Sequence, residues 1–230
     1  LFRLLDGVGG WFHRPVCGVP DLSRARSIVV LKLDQLGDLI LTQPLLAALH
    51  VAAPNARIEI LLGKDRKPVA DLLPGVDAVR ELPVRLRAGA PRVGLGGLFA
   101  AIRATRAARP DVVIAAKEEP LTVLLAALIG APTRVGFREG GLGFLLTHVV
   151  PADEEHHQSH VPAALAGSVD SPRRFPTIPL RPRDREASAT LLDSLGRRSG
   201  FPLVIVHPGS GVPSRRWPWA GFAETMERVS

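Results

Sequence analysis

Two loops of this chain carry residue types that could do chemistry, and the first follows an apolar segment at 27–33. It holds Asp34, Gly37 and Asp38. A carboxylate placed against a substrate hydroxyl can take its proton as a general base, which makes Asp38 the first candidate and Asp34 its rival. Gly37 permits close backbone approach or an unusual φ. Asp38 also stands at the predicted start of a helix, where it would serve equally as an N-cap.

The second loop, 207–218, lies between an apolar segment and a predicted helix, and it combines glycines, hydroxyls and arginines. Backbone N–H groups beside a helix N-terminus attract anions, and guanidinium groups add bidentate donors for phosphate. The loop therefore predicts a phosphate site, with a solvated loop whose arginines cover acidic surface as the alternative. The candidate phosphate ligands are Gly209, Ser210, Gly211, Arg215 and Arg216.

Neither loop has the glycine pattern of a dinucleotide site or a P-loop, which argues against a nicotinamide cofactor. Cys17 is the only cysteine, so an intrachain disulfide and a cysteine metal cluster are both excluded. His156, His157 and His160 are clustered, but they lack the acidic partner arrangement of a metal site. We therefore predict that the chain uses no metal and no other cofactor.

The elements that must position the first loop form a strand–helix alternation. Apolar, β-branched segments alternate with segments of helical periodicity, a pattern typical of a parallel sheet covered by helices on both faces. The predicted strands are 27–33, 57–62, 78–82, 111–116 and 133–137, and the predicted helices are 39–53, 65–73, 98–108 and 121–129. The fold class is α/β, and ligands in such sheets sit beyond the carboxyl ends of the strands.

The rest of the chain is less regular and suggests a second domain. We expect an edge strand at 147–150, a helical stretch at 152–169 that Pro162 interrupts, and a Pro- and Arg-rich linker at 171–182. An amphipathic helix, a buried parallel strand and a further helix are predicted at 183–198, 202–207 and from about Trp219. The predicted organisation is an N-terminal extension (1–26), a Rossmann-like domain (27–182) and the start of a second Rossmann-like domain (183–230).

Composition narrows the function classes. Hydrophobic residues make up 46% of the 230 residues, and 29 Lys+Arg against 22 Asp+Glu leave a net charge of +7. Only four of the basic residues are lysines. The arginine excess suits phosphate or carboxylate partners, with a coding bias as the alternative. No long basic run or aromatic RNA-binding motif occurs, so we predict no nucleic-acid partner.

The two loops together resemble a known family. Residues 28–49 (IVVLKLDQLGDLILTQPLLAAL) resemble the start of family 9 glycosyltransferases, the bacterial heptosyltransferases of lipopolysaccharide core synthesis. Residues 204–222 (VIVHPGSGVPSRRWPWAGF) resemble the motif that opens that family's second domain. The resemblance implies a GT-B fold, in which two Rossmann-like domains face each other, one for the acceptor and one for the nucleotide-sugar donor.

The same resemblance implies roles for particular residues. The family transfers sugar with inversion, typically heptose from ADP-heptose, without a required metal. Asp38 falls on the proposed general base, and Arg215 falls on the basic residue that contacts donor phosphate, where Lys is commoner. Gly209 and Ser210 border the diphosphate. An inverting glycosyltransferase acting on a cell-envelope glycan is the function that this pattern implies.

The acceptor side departs from the family pattern. Residues 115–122 read AAKEEPLT where the family often has Asp, Gln and Gly followed by a basic residue and Ser. We expect Gly37 and Lys117 on the acceptor side, where Lys117 either meets an acceptor phosphate or pairs with Glu118 or Glu119. The departure implies an acceptor other than an inner-core heptose or lipid-linked Kdo.

The expected setting follows from the resemblance and the charge. We expect a cytoplasmic protein whose basic surface suits peripheral contact with anionic lipids at the inner face of the plasma membrane. Leu1 at the start and the late position of Met226, the only methionine, suggest a fragment of a longer product. Two alternatives remain open: a non-catalytic acceptor-binding or degenerate member without a donor domain, and another Rossmann-like nucleotide enzyme.

Overall fold

The computed structural model describes residues 14–85, 92–152, 161–167, 176–197, 200–210 and 213–229. The chain divides into two compact units, with the boundary after Pro179. The first unit carries a large sheet, and the described part of the second carries two α-helices and a short 3₁₀ helix.

A seven-stranded parallel sheet organises the first unit, and a short antiparallel pair of strands accompanies it. The strands of the chain are β1 (Val16–Cys17), β2 (Ser27–Lys32), β3 (Arg57–Gly63), β4 (Ala78–Leu82), β5 (Val84–Arg85), β6 (Arg92–Val93), β7 (Val112–Ala115), β8 (Thr133–Phe137) and β9 (His148–Val150). The order across the large sheet is β1-β9-β8-β7-β2-β3-β4, and β5 pairs with β6. Strands β7, β2 and β3 are therefore neighbours at the centre.

Helices connect the strands of the first unit, and two more lie in the second unit. They are α1 (Leu36–Ile40), α2 (Gln43–Ala52), α3 (Lys67–Ala70), α4 (Leu95–Ala107), α5 (Pro120–Ile129), α6 (Pro182–Ser194) and α7 (Trp219–Val229). Short 3₁₀ helices cover Arg138–Gly140, Gly143–Leu145, Val161–Ala166 and Pro213–Arg215. No helix in the described part of the chain is both long enough and apolar enough to cross a bilayer.

The core confirms that both faces of the sheet are covered. Along β2, Ile28 and Val30 point into one apolar layer, which α2 covers, while Val29 and Leu31 point into the other, which α4 and α5 cover. All four are at most 2% exposed. Burying a side chain of this size stabilises the fold by about 1.5–3 kcal/mol. The first loop thus begins at the end of a strand that cannot shift without exposing both layers.

The predicted helix at 39–53 is wrong in one respect, because the structure has two helices there. α1 ends at Ile40 and α2 begins at Gln43. Pro44 lies in the first turn of α2, where its missing N–H costs nothing, whereas inside a continuous helix it would remove a hydrogen bond and clash. The break places Asp38 on a short separate helix.

Two later predictions also need correction. The predicted edge strand at 147–150 is β9, but β1 pairs with its outer side, so β1 is the edge strand. Val16–Cys17, within the predicted N-terminal extension, thus belongs to the sheet. Pro162 lies within a 3₁₀ helix, Val161–Ala166, rather than interrupting an α-helix; residues 153–160 lie outside the described residues.

The second unit departs most from expectation. The helix predicted from about Trp219 is confirmed as α7, but the buried strand predicted at 202–207 is wrong. Its apolar side chains are exposed, with Ile205 at 82%. A strand needs a neighbouring strand to pair its N–H and C=O groups, and the described residues of this unit contain no other strand.

Candidate active site

The candidate active site lies where β2, β3 and β7 end. Because carboxyl ends of parallel strands share one edge of a sheet, the loops that follow them converge there. The loop after β2 supplies Asp34, the loop after β3 supplies Arg66, and the loop after β7 supplies Lys117. These three residues are connected to one another through Asp34.

Asp34 is the centre of this connection, and its side chain is only 5% exposed. Its Oδ2 lies 2.7 Å from Lys32 Nζ, and its Oδ1 lies 2.8 Å from Lys117 Nζ. The second contact is an ion pair, since within the described residues Oδ1 accepts no bond with hydrogen-bond geometry. Arg66 Nε donates to the backbone carbonyl of Asp34. A carboxylate that two ammonium groups hold is poorly placed to take a proton, which weighs against Asp34 as the base.

Lys117 contacts Asp34 and also faces the cleft, because a third of its side chain is exposed. A second carboxylate, that of Glu119, lies 3.6 Å from Lys117 Nζ. Burial lowers the pKa of Lys117, but the polar contact and charge of Asp34, followed by the charges of Glu119 and Asp38, raise it more. The net pKa lies above its ordinary value, so Lys117 is a cation at neutral pH.

Asp38 is the third residue of α1 and is half-buried. The alternative that it caps the helix is wrong, because the N-cap residue is Gln35. The backbone carbonyl of Asp38 accepts a hydrogen bond from Thr42 Oγ1 at 2.9 Å, which ties the end of α1 to the start of α2. Within the described residues the Asp38 carboxylate makes no hydrogen bond or ion pair. It therefore remains able to accept a proton or a hydrogen bond from a ligand.

A cleft of about 330 Å³ joins these groups. Its polar walls include Asp38 and Lys117, two residues that the sequence analysis selected, together with Asp34 and Glu118. Its apolar walls come from Leu41, Phe137, Val161 and Pro162. Charged groups that converge on one cleft beside apolar side chains are typical of a small-molecule site.

Gly37 precedes Asp38 and lies at the exposed start of α1. Its φ is not in the left-handed region, and a Cβ added to it would meet no atom within 4 Å. Neither an unusual φ nor close packing within the described structure therefore requires glycine. The missing side chain leaves open space beside Asp38.

Lys32 and Arg66 are the functional candidates that the sequence analysis missed. Both are buried, at 6% and 8% exposure. Lys32 Nζ also donates to the carbonyl of Ala116 at 3.0 Å, and Arg66 Nη1 donates to that of Lys64 at 2.7 Å. The signal for Lys32 was available, because it is the one charge in an otherwise apolar strand.

The predicted phosphate loop lies in the second unit. Gly209, Ser210, Arg215 and Arg216 all belong to the described residues, and Gly211 lies outside them. Arg216 Nε donates to the Ser210 carbonyl at 2.9 Å, so the loop closes on itself there. Both arginines are exposed, and neither makes an ion pair with a described acidic residue.

Aromatic residues follow this loop. Trp217 meets Phe222 edge-on with ring centroids 4.9 Å apart, and a Cβ on Gly221 would lie 2.5 Å from the Trp217 ring. Trp217 and Trp219 are 53% and 76% exposed. Both tryptophans are therefore largely exposed within the described residues.

The clustered histidines are the remaining candidate site residues. His156, His157 and His160 lie outside the described residues. Among the residues that are described, no group of three or more His, Cys, Asp or Glu side chains is arranged to hold a metal ion.

Comparisons with known proteins support the fold and the resemblance. The chain is 22% identical to lipopolysaccharide heptosyltransferase 3 of Escherichia coli over 199 residues, which cover 84% of this chain and 57% of that protein. A family 9 glycosyltransferase from Veillonella parvula matches 92% of this chain and 62% of its own, with a TM-score of 0.73 and 24% identity. No protein-family model matches the chain.

A second solved structure agrees. The E. coli ADP-heptose lipopolysaccharide heptosyltransferase II matches 88% of this chain and 61% of its own, with a TM-score of 0.65 and 20% identity. The chain spans less than two thirds of the length of each of these proteins.

The parallel sheet, the cleft at its carboxyl edge and these likenesses define the class. The fold is that of GT-B-type glycosyltransferases. Within that class, the resemblance to family 9, the heptosyltransferase family, is confirmed by the curated relative and the structural neighbours.

Proposed function

We propose that this chain is part of an inverting glycosyltransferase that moves a sugar from a nucleotide-sugar donor to a cell-envelope glycan. One observation carries the proposal. Asp38, the carboxylate that the first motif predicts as the base, lines a cleft together with Lys117 at the carboxyl ends of central parallel strands. The likeness to lipopolysaccharide heptosyltransferases supports lipopolysaccharide biosynthesis as the process, and ADP-heptose as the donor is supported by the name of one structural neighbour.

The proposed step is a displacement at the anomeric carbon. An acceptor hydroxyl attacks the anomeric carbon of the donor sugar as Asp38 takes its proton. A new C–O bond forms while the bond to the diphosphate breaks, and the electron pair leaves with the diphosphate. The transition state resembles an oxocarbenium ion, as in glycoside hydrolysis. Attack from the face opposite the leaving group inverts the anomeric centre.

The second loop would hold the leaving diphosphate. Arg215 and Arg216 carry exposed guanidinium groups suited to phosphate, and Gly209 and Ser210 have small side chains that let the backbone approach it. Gly211 belongs to the same motif. Donors placed where negative charge grows stabilise the transition state more than the ground state.

The acceptor would occupy the Asp38 cleft. Lys117 would meet an anionic group of the acceptor, such as a phosphate, and Gly37 would leave space for its approach. A net charge of +7 supports work near anionic lipids at the cytoplasmic face of the membrane.

The test replaces the base in the complete protein that contains this chain. Asp38→Asn keeps the shape of the side chain but cannot take the proton, so kcat for transfer from ADP-heptose should fall about 100-fold or more. The dissociation constant of ADP-heptose, measured by calorimetry, should stay within about threefold. Asp71→Asn, an exposed aspartate in the same unit, is the control and should leave both unchanged.

Three outcomes decide between the readings. Unchanged turnover in Asp38→Asn removes Asp38 from the mechanism. Lack of ADP-heptose binding to the unmodified complete protein that contains this chain overturns the proposal and favours a non-catalytic acceptor-binding member. Loss of both turnover and donor binding in Asp38→Asn assigns Asp38 to donor binding instead.

A further inference from the structure

The Asp34 carboxylate joins two lysines that come from different strands. Lys32 is the last residue of β2, and Lys117 lies in the loop after β7. Both ammonium groups lie within 2.8 Å of a carboxylate oxygen. Lys32 is buried, but Lys117 keeps a third of its side chain exposed to the cleft. The two ion pairs therefore have different surroundings, and only Lys117 can meet a ligand readily.

The backbone beside Lys117 is tied to β2 as well. Lys32 Nζ donates to the Ala116 carbonyl at 3.0 Å, and the Ala116 N–H donates to the Leu31 carbonyl at 3.1 Å. These bonds fix the residue that precedes Lys117. The start of the Lys117 side chain is thus held by the backbone, and its end is held by Asp34.

Asp34 is itself held from the third loop. Arg66 Nε donates to its carbonyl, while the backbone N–H of Arg66 donates to Glu81 Oε1 at 2.7 Å. This arrangement links the loops after β2, β3 and β7. A side-chain rotation of Asp34 would break its contacts with the buried Lys32 and with Lys117, which makes its position rigid.

Such an arrangement matters for anion binding at Lys117. A free lysine side chain has many rotamers, and a ligand that selects one of them loses affinity through the lost entropy. An ammonium that is already held in place binds without that loss. An ammonium group has three N–H donors, so contact with Asp34 leaves capacity for a ligand oxygen.

We propose that Asp34 is a positioning residue, which fixes the Lys117 ammonium in the cleft as a preorganised binding point for an oxyanion of the acceptor. That the oxyanion belongs to a sugar acceptor rests on the proposed function. That Asp34 fixes the position of the Lys117 ammonium does not. The role differs from that of a base, because Asp34 acts on the substrate through Lys117.

The test removes the carboxylate without leaving a buried lysine unpaired. Asp34→Asn alone would leave the buried Lys32 without an ion-pair partner. The main variant is therefore Asp34→Asn with Lys32→Met, which keeps the shapes of both side chains and the net charge of the chain. Its control is Asp71→Asn with Lys67→Met, which removes an exposed 2.8 Å ion pair of the same unit in the same way. Asp34→Glu tests rescue by a conservative change.

Two measurements are made on each full chain. The first follows the Lys117 side chain by NMR through a pH titration, which is practical because the chain has only four lysines. The second follows the same signal during titration with inorganic phosphate. Loss of the Asp34 carboxylate should lower the pKa of Lys117, because burial disfavours the ammonium form and fewer negative charges then compensate for it. The same loss should weaken phosphate binding about tenfold. The control pair should change neither.

The outcomes separate this inference from the proposed function. An unchanged Lys117 pKa and phosphate affinity in the Asp34 variant would overturn the positioning role. A lowered pKa with no phosphate response even in the unmodified chain would overturn the anion site and, with it, Lys117 as the acceptor contact. Neither result depends on turnover, so failure of transfer activity leaves the inference testable.

Discussion

The carboxyl edge of the sheet and the loop at 207–216 both present charged residues, but they hold them in different ways. At the sheet edge, Lys32, Asp34 and Arg66 are buried and bonded across three loops. In the second region, Arg215 and Arg216 are exposed, and the Arg216 side chain donates to the carbonyl of Ser210 in the same loop.

This difference determines how closely folding stability and ligand binding are coupled in each region. A buried charge must be paired, because removing one partner strands the other away from water. An exposed arginine stays hydrated whether or not it meets a partner. Changes at the sheet edge should therefore reduce both stability and binding, whereas changes in the second loop should reduce binding alone.

The largest expected effect tests the buried carboxylate. Asp34→Asn should lower the free energy of unfolding by about 3–5 kcal/mol, because Lys32 then remains buried without its ion-pair partner. Urea denaturation measures the change. Asp71→Asn, whose partner Lys67 is 51% exposed, should cost no more than about 1 kcal/mol. Equal effects of the two substitutions would remove the distinction between the regions.

One arginine from each region allows the same comparison, with a smaller expected change in stability. Arg66→Ala removes a buried guanidinium that donates to the carbonyls of Asp34 and Lys64, and it should cost about 1.5–3 kcal/mol. Arg216→Ala removes one exposed bond and should change stability by at most about 0.5 kcal/mol. Denaturation of both variants under one condition decides the matter, and a larger loss for Arg216→Ala contradicts the expectation.

Much of the fold was predictable because the strands are apolar on both faces. β4 and β8 have the predicted bounds, and α5 ends at the predicted Gly130, which adopts the left-handed conformation that favours glycine at a helix end. The strand predicted at 202–207 was wrong for the same physical reason that the others were right. Apolar residues predict a strand only where neighbouring strands can pair with it.

The candidate site was predictable only in part. Asp38 and Lys117 were selected from the sequence, and they line one cleft. Lys117 was expected either to meet an acceptor phosphate or to pair with Glu118 or Glu119. It lies 3.6 Å from Glu119, but its shortest ion pair is with Asp34. Asp34 and Lys117 are separated by 83 residues, and local spacing carries no information about such a contact. The sheet order, which places β7 beside β2, creates it.

The smallest effect expected at the sheet edge is a pH dependence. The pKa of Lys117 is raised on folding, so its contribution to stability is fully present below the unfolded value of about 10.4 and is lost as pH rises through the higher folded value. The chain has no tyrosine, and arginines stay protonated, so few other groups titrate there. The stability difference between the unmodified chain and Lys117→Met, measured by urea denaturation, should be constant at lower pH and shrink in this alkaline range. If the stability difference stays constant over the whole pH range, the Asp34 contact does not stabilise the charged form of Lys117. The charge of Lys117 would then be uncoupled from stability, as is expected for the exposed arginines of the second loop.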